Sequence, residues 1–184
     1  MKAILKRIYL YIPLIAAALL QNVVHESTHF VAARMFDENV LAFKLFTNGW
    51  GTSQVVYAAP AAQRVEGYWL LIAWLPALLT VIIGFLMYAF RDKLLTKSPA
   101  LNIFIWYVGV MFMVIDSLYF GVLSWFFERS DVNAAEIMGW PVWPVQVLGL
   151  LVLILGVVCT IRWRKESQTH LEDYQLKFFA GEAA

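Results

Sequence analysis

Cysteine is almost missing from this chain: one residue, Cys159, in 184. A lone thiol excludes a disulfide framework and a metal site built from cysteines. Charged residues are scarce too, at 15%, and nearly balanced at a net +1. That leaves no basic surface of the kind that holds nucleic acid, so no nucleic-acid partner is expected. Histidine occurs only three times. No internal repeat or low-complexity tract is visible.

What the chain has instead is apolar bulk. Hydrophobic residues make up 61% and aromatics 16%, with a mean hydropathy of +0.68, against about 45–50% apolar in ordinary globular domains. A run of ~18 or more apolar residues is long enough to cross a bilayer as a helix. Four such runs stand out: Ile8 to about Met35, Tyr68 to Phe90, Leu101 to Phe127, and Val142 to Ile161 with Trp140 and Trp163 at its edges. Tryptophans so placed suit the headgroup zone. Four spans of this length would leave a soluble protein almost no polar surface.

Charge gives these spans a direction. Lys2, Lys6 and Arg7 precede the first, Arg91, Lys93 and Lys97 follow the second, and Arg162, Arg164, Lys165 and Lys177 follow the fourth. The opposite loops hold only Arg34, Lys44, Arg64 and Arg129. The positive-inside rule then puts both termini in the cytoplasm. The basic start resembles a signal peptide, but the long apolar stretch and the lack of a small-residue cleavage site mark a retained span.

Between the first two spans, "VLAFKLFTNGWGTSQVVY" carries β-branched and aromatic residues on both sides of Asn48-Gly49. That pattern predicts a β-hairpin, apolar enough to lie against the membrane face. After the third span, "VNAAEIMGW" predicts a short interfacial helix ended by Gly139 and Pro141. The expected fold is an all-α membrane protein of four transmembrane helices with a small β-hairpin after the first. Residues 1–165 form one membrane-embedded domain, and 166–184 a polar tail in which His170 is solvent-exposed.

One stretch is out of keeping with its surroundings. "NVVHESTHFVAA" places His25, Glu26 and His29 inside the first apolar run. Four residues is a little over one helical turn, so both imidazoles project from one face. Two nitrogens so placed can hold a single zinc ion, with Glu26 beside them as a base rather than a ligand, the H-E-x-x-H signature of zinc hydrolases. Zinc brings the pKa of bound water down to about 7 and polarises a carbonyl. The carboxylate takes the water's proton and passes it to the leaving amine. Ionisable groups are costly inside a membrane and mark function by default.

A catalytic zinc site keeps one position for water and needs a third protein ligand. Asp116 in "FMVIDSLYF" and Asp131 in "ERSDVNAA" are the candidates. Counted from Ile8 at ~1.5 Å per residue, the histidines lie roughly 26 to 32 Å along their helix. Counted from Leu101, Asp116 lies roughly 22 Å along and Asp131 roughly 45 Å. Depth favours Asp116, as does the cost of an unpartnered acid amid Phe, Met, Val and Ile. Asp131 also has a ready structural role as a loop residue or N-cap, and stays open as the alternative ligand. Asn22, one turn before Glu26, could support the site. Thr80, Asn102, Ser117, Ser124 and Gln146 suit hydrogen bonds between helices.

The "HESTH" element on an early span, the apolar hairpin with "GWGT", and an acid two spans later together resemble the site-2 protease family of intramembrane zinc metalloproteases. The resemblance covers roughly Ile8 to Gly139 and is most specific at HESTH. It implies Zn²⁺ held by His25 and His29, Glu26 as general base, and hydrolysis of peptide bonds in membrane-spanning or membrane-associated substrates. It also implies that the hairpin presents substrate as an added strand, with Gly49, Gly51 and Thr52 among the contacts. The family's third ligand sits in a Leu-Asp-Gly element after an Asn/Pro-rich stretch. Asp116 in "VIDSL" has neither, and "FFERSDVNAAEIMG" is similar to a branch in which the acid follows the span. A non-enzymatic metal binder or transporter, or an inactive membrane-peptide-binding relative, is the alternative, and Glu26 separates them because only hydrolysis needs a base.

Overall fold

The computed structural model describes the backbone of residues 2–47, 52–127 and 131–180, and the side chains of 11–46, 53–98, 100–127 and 131–165. Within these residues the chain is mostly helical, with one two-stranded antiparallel sheet. Helix α1 spans Lys2–Met35, strands β1 and β2 span Val40–Thr47 and Thr52–Tyr57, and α2 spans Tyr68–Ala89. A single turn, α3 (Arg91–Leu94), leads to α4 (Pro99–Gly121). A second single turn, α5 (Ala134–Ile137), precedes α6 (Trp143–Ala180).

Local chemistry sets the ends of these helices. The first turn of α4 has Pro99 just inside and the Ser98 side chain accepting from the Leu101 amide, both favoured at a helix start. The end of α1 is closed by paired bonds, Glu38 N–H to Ala33 O at 2.9 Å and Asp37 N–H to Arg34 O at 3.2 Å. Asp37 supplies the left-handed residue this closure needs, at φ 58°, a role aspartate fills more readily than most non-glycine residues. The closure turns the chain straight into β1.

The hairpin agrees with the sequence pattern. Phe43 pairs with Val55 and Lys44 with Gln54, and irregularities follow Val40 and Lys44. The tip, with Asn48, Gly49 and Gly51, lies outside the described residues, as does the Thr52 side chain. At its base, Val40 and Tyr57 pack on a buried cluster of Ala32, Ala33, Trp69 and Ile72, which joins the end of α1 to the start of α2.

Helix α4 stands at the centre, packed against α1, α2 and α6. Its contact with α6 is close. A Cβ on Gly149 would come 2.7 Å from the Gly121 amide, and one on Gly121 would strike the backbone of Leu150. Only glycine permits backbones to approach this nearly.

Three helices among the described residues are long and apolar enough to cross a membrane: Tyr68–Ala89, Ala100–Trp125 and Trp143–Lys165. The third apolar run was expected to continue as a straight helix to Phe127. Instead α4 stops at Gly121, a short 3-10 turn covers Leu123–Trp125, and another 3-10 turn covers Asp131–Asn133.

Candidate metal centre

His25 and His29 project from one face of α1, with ring centroids 4.9 Å apart and planes inclined at 74°. Their Nε2 atoms face the same point, and Asp131 Oδ2 meets them there, 3.6 Å from His25 Nε2 and 3.4 Å from His29 Nε2. The donor atoms of these three residues lie within 4.8 Å of one another. A tetrahedral ion bonded at ~2.0–2.1 Å holds its donors about 3.3 Å apart, so two imidazoles and a carboxylate at this spacing fit a divalent metal.

The opposite ring nitrogens are also engaged. His29 Nδ1 lies 2.8 Å from the backbone oxygen of Ile72. That carbonyl is free because the residue four places on, whose amide would normally bind it, is Pro76, inside α2. Proline has no N–H to give. A proline in one helix thus supplies the acceptor that orients a histidine in another. His25 Nδ1 lies 3.1 Å from Asp116 Oδ1, an ion-pair distance off the line of a well-aligned hydrogen bond. An Nδ1–H on His29 directed at the Ile72 oxygen would leave its Nε2 lone pair for a metal, the usual arrangement behind a metal-binding histidine, and Asp116 lies on the same Nδ1 side of His25.

The structure separates the two candidate acids. Asp131, not Asp116, meets the paired Nε2 atoms, while Asp116 lies behind His25. The depth comparison favoured Asp116 because it extended α4 as a straight rod. With α4 ended at Gly121, Asp131 lies against the histidines, where Trp74 Nε1 donates to its backbone oxygen at 2.9 Å. Burial works to raise the pKa of Asp131; in the absence of a metal its contacts with His25 and His29 outweigh that and hold the carboxyl below the usual carboxylate range. A metal at the same point would take the place of the imidazole protons and needs the carboxylate form.

Asp116 is only 4% exposed, and its partners explain how an acid survives there. Its Oδ2 accepts from Gln21 Nε2 at 3.1 Å and from the Thr80 hydroxyl. Helices α1, α2 and α4 are thus tied together around one carboxylate. Asn22, the expected supporting residue, has a buried Oδ1 with no hydrogen-bond partner among the described residues; its neighbour Gln21 makes the contact instead. Glu26 is half-buried, and among the described residues its carboxylate makes no hydrogen bond or ion pair.

A small cleft of about 90 Å³ opens beside His29 and Asp131, lined also by Tyr57, Arg64 and Trp69 and by apolar residues of α2 and α5. Tyr57 and Arg64 carry no motif and were not picked out from the sequence. Their only signal was position, Arg64 being a lone cation just before an apolar span. Burial pushes the Tyr57 phenol up, keeping it protonated. Burial also pulls the Arg64 guanidinium down, against the opposing pull of Tyr57 and Glu38.

The chain matches no known protein family, no curated protein and no solved structure with which it was compared.

Proposed function

We propose that this chain is an intramembrane zinc metallopeptidase that cleaves membrane-spanning or membrane-associated peptides, a compact and divergent relative of the site-2 proteases. The observation that carries the reading is the convergence of His25 Nε2, His29 Nε2 and Asp131 Oδ2 while both Nδ1 atoms face protein oxygens. Zinc suits a site of two nitrogens and one oxygen with a further position open. In this reading α1 is a fourth span, both termini lie in the cytoplasm, and the centre sits near the opposite face, where α1 and α4 end and α2 begins.

His25, His29 and Asp131 would hold the ion, with Asp116 and the Ile72 carbonyl keeping the rings aimed. When bound, zinc supplies Lewis acidity, lowering the pKa of a coordinated water and polarising the scissile carbonyl. Glu26, whose carboxylate makes no hydrogen bond or ion pair among the described residues, takes a proton from the attacking water and delivers it to the departing amine. The hairpin offers an edge on which an unwound substrate segment can pair. Unwinding is needed because a membrane helix bonds all its carbonyls internally.

Glu26→Gln tests the reading. The variant should keep its zinc, measured by metal analysis of purified protein, and lose about 10²–10⁴-fold in the rate of cutting a single-span reporter. Cleavage at the wild-type rate would sink the peptidase mechanism. A metal-free wild-type protein would sink the whole assignment.

A further inference from the structure

We propose that the cleft beside the metal donors is a substrate pocket in which Arg64 binds a carboxylate close to the scissile bond. The inference rests on the peptidase reading above and adds to it the chemistry of the substrate.

Arg64 is held from several sides. Its guanidinium carbon lies 4.7 Å from the Tyr57 ring centre and 5.0 Å from that of Trp69. Its Nε donates to the Ala59 oxygen at 3.0 Å. The two rings meet edge to face at 5.1 Å, so the aromatic seat is itself fixed. A guanidinium gripped by its stem and faces has little rotamer freedom left to lose on binding. Among the described residues no carboxylate comes within ion-pair distance of it. Its remaining N–H groups form a planar fork that matches a carboxylate in shape and charge.

The position of the pocket gives this its meaning. The same cleft is walled by His29 and Asp131, so a group seated at Arg64 belongs to a chain already lying across the metal donors. Ile72, Ala73, Ala134 and Ile137 complete the lining and offer an anion no other cation. At about 90 Å³ the cleft has room for one small group such as a carboxylate rather than for a whole substrate segment. The carboxylate could come from an acidic side chain or from a free C-terminus.

The test uses the zinc-loaded full chain in nanodiscs of zwitterionic lipid, so that no anionic lipid competes. Three short peptides carry a succinyl hydroxamate at the N-terminus to anchor them on the metal. The reference is neutral and amidated, the second adds an aspartate, and the third ends in a free carboxylate. Dissociation constants are read by calorimetry, without turnover. At least one carboxylate peptide should bind tenfold or more tighter than the reference, and which one identifies the source. Arg64→Gln should erase that advantage, so that within this variant the carboxylate peptides bind no tighter than the reference, while Arg64→Lys should keep part of it. Equal affinities in the wild type, or an advantage that survives Arg64→Gln, overturn the inference. The wild-type comparison stands even if the variants fold poorly. If the reference peptide fails to bind, the metal reading itself is lost and the pocket assignment falls with it.

Discussion

Towards α1 and α2, helix α4 presents Asp116 to Gln21, His25 and Thr80; towards α6 it presents Gly121, pressed against Gly149 and Leu150. The first contact is made by a few directed polar bonds, the second by the absence of side chains. In a bilayer the lipid tails are as apolar as leucine, so helices associate through close packing and hydrogen bonds rather than by escaping water. Here the two means are divided between the two sides of one helix. The site follows the division: among the described residues none of the site side chains comes from α6, which acts as a buttress for the helix that carries Asp116.

The comparison can be broken from either side, and the largest effect should come from the acids. Asp131→Ala removes a donor and should lose zinc altogether on dialysis. Asp116→Asn keeps the three donors and should weaken zinc by about 10–100-fold, the usual cost of losing a partner behind a ligand. Metal titration of the two proteins side by side checks the order, and the reverse order would return Asp116 to the ligand set.

Next in size is the glycine contact. Gly149→Leu forces a side chain into the Gly121 backbone and should cost about 3 kcal/mol or more by overpacking. Thermal unfolding should show the loss, while the fraction that stays folded binds zinc as before. A matching drop in zinc affinity would mean the two sides of α4 are coupled rather than divided.

The smallest effect isolates one carbonyl. Pro76→Ala restores an amide that competes with His29 Nδ1 for the Ile72 oxygen. A carbonyl has two lone pairs, so the competition is partial. Zinc affinity should fall by less than about tenfold, with helix α2 no less stable. Unchanged affinity would show that His29 does not depend on this bond.

The residues differ in how openly they announced these roles. HESTH at helical spacing and the alternating strands around Asn48-Gly49 were legible because each is a local pattern. The place of Asp131 was not, since it depends on α4 ending at Gly121, and no run of apolar residues records where a helix stops. Depth along an imagined straight rod pointed to Asp116, whereas the acid that groups with the two histidines is Asp131. Pro76 was visible in the second apolar run, but its meaning needed the histidine from another helix. Arg64 and Tyr57 are ordinary residues until the fold brings them to the cleft.

Asp116 also bears on how the protein is made. The segments carrying Gln21, His25 and Thr80 leave the ribosome before it does, so all three of its partners are already synthesised when this acid reaches the lipid. Reversing that sequence of synthesis, by moving the third apolar segment to the front of the gene, would ask an unaccompanied carboxylate to enter hydrocarbon first.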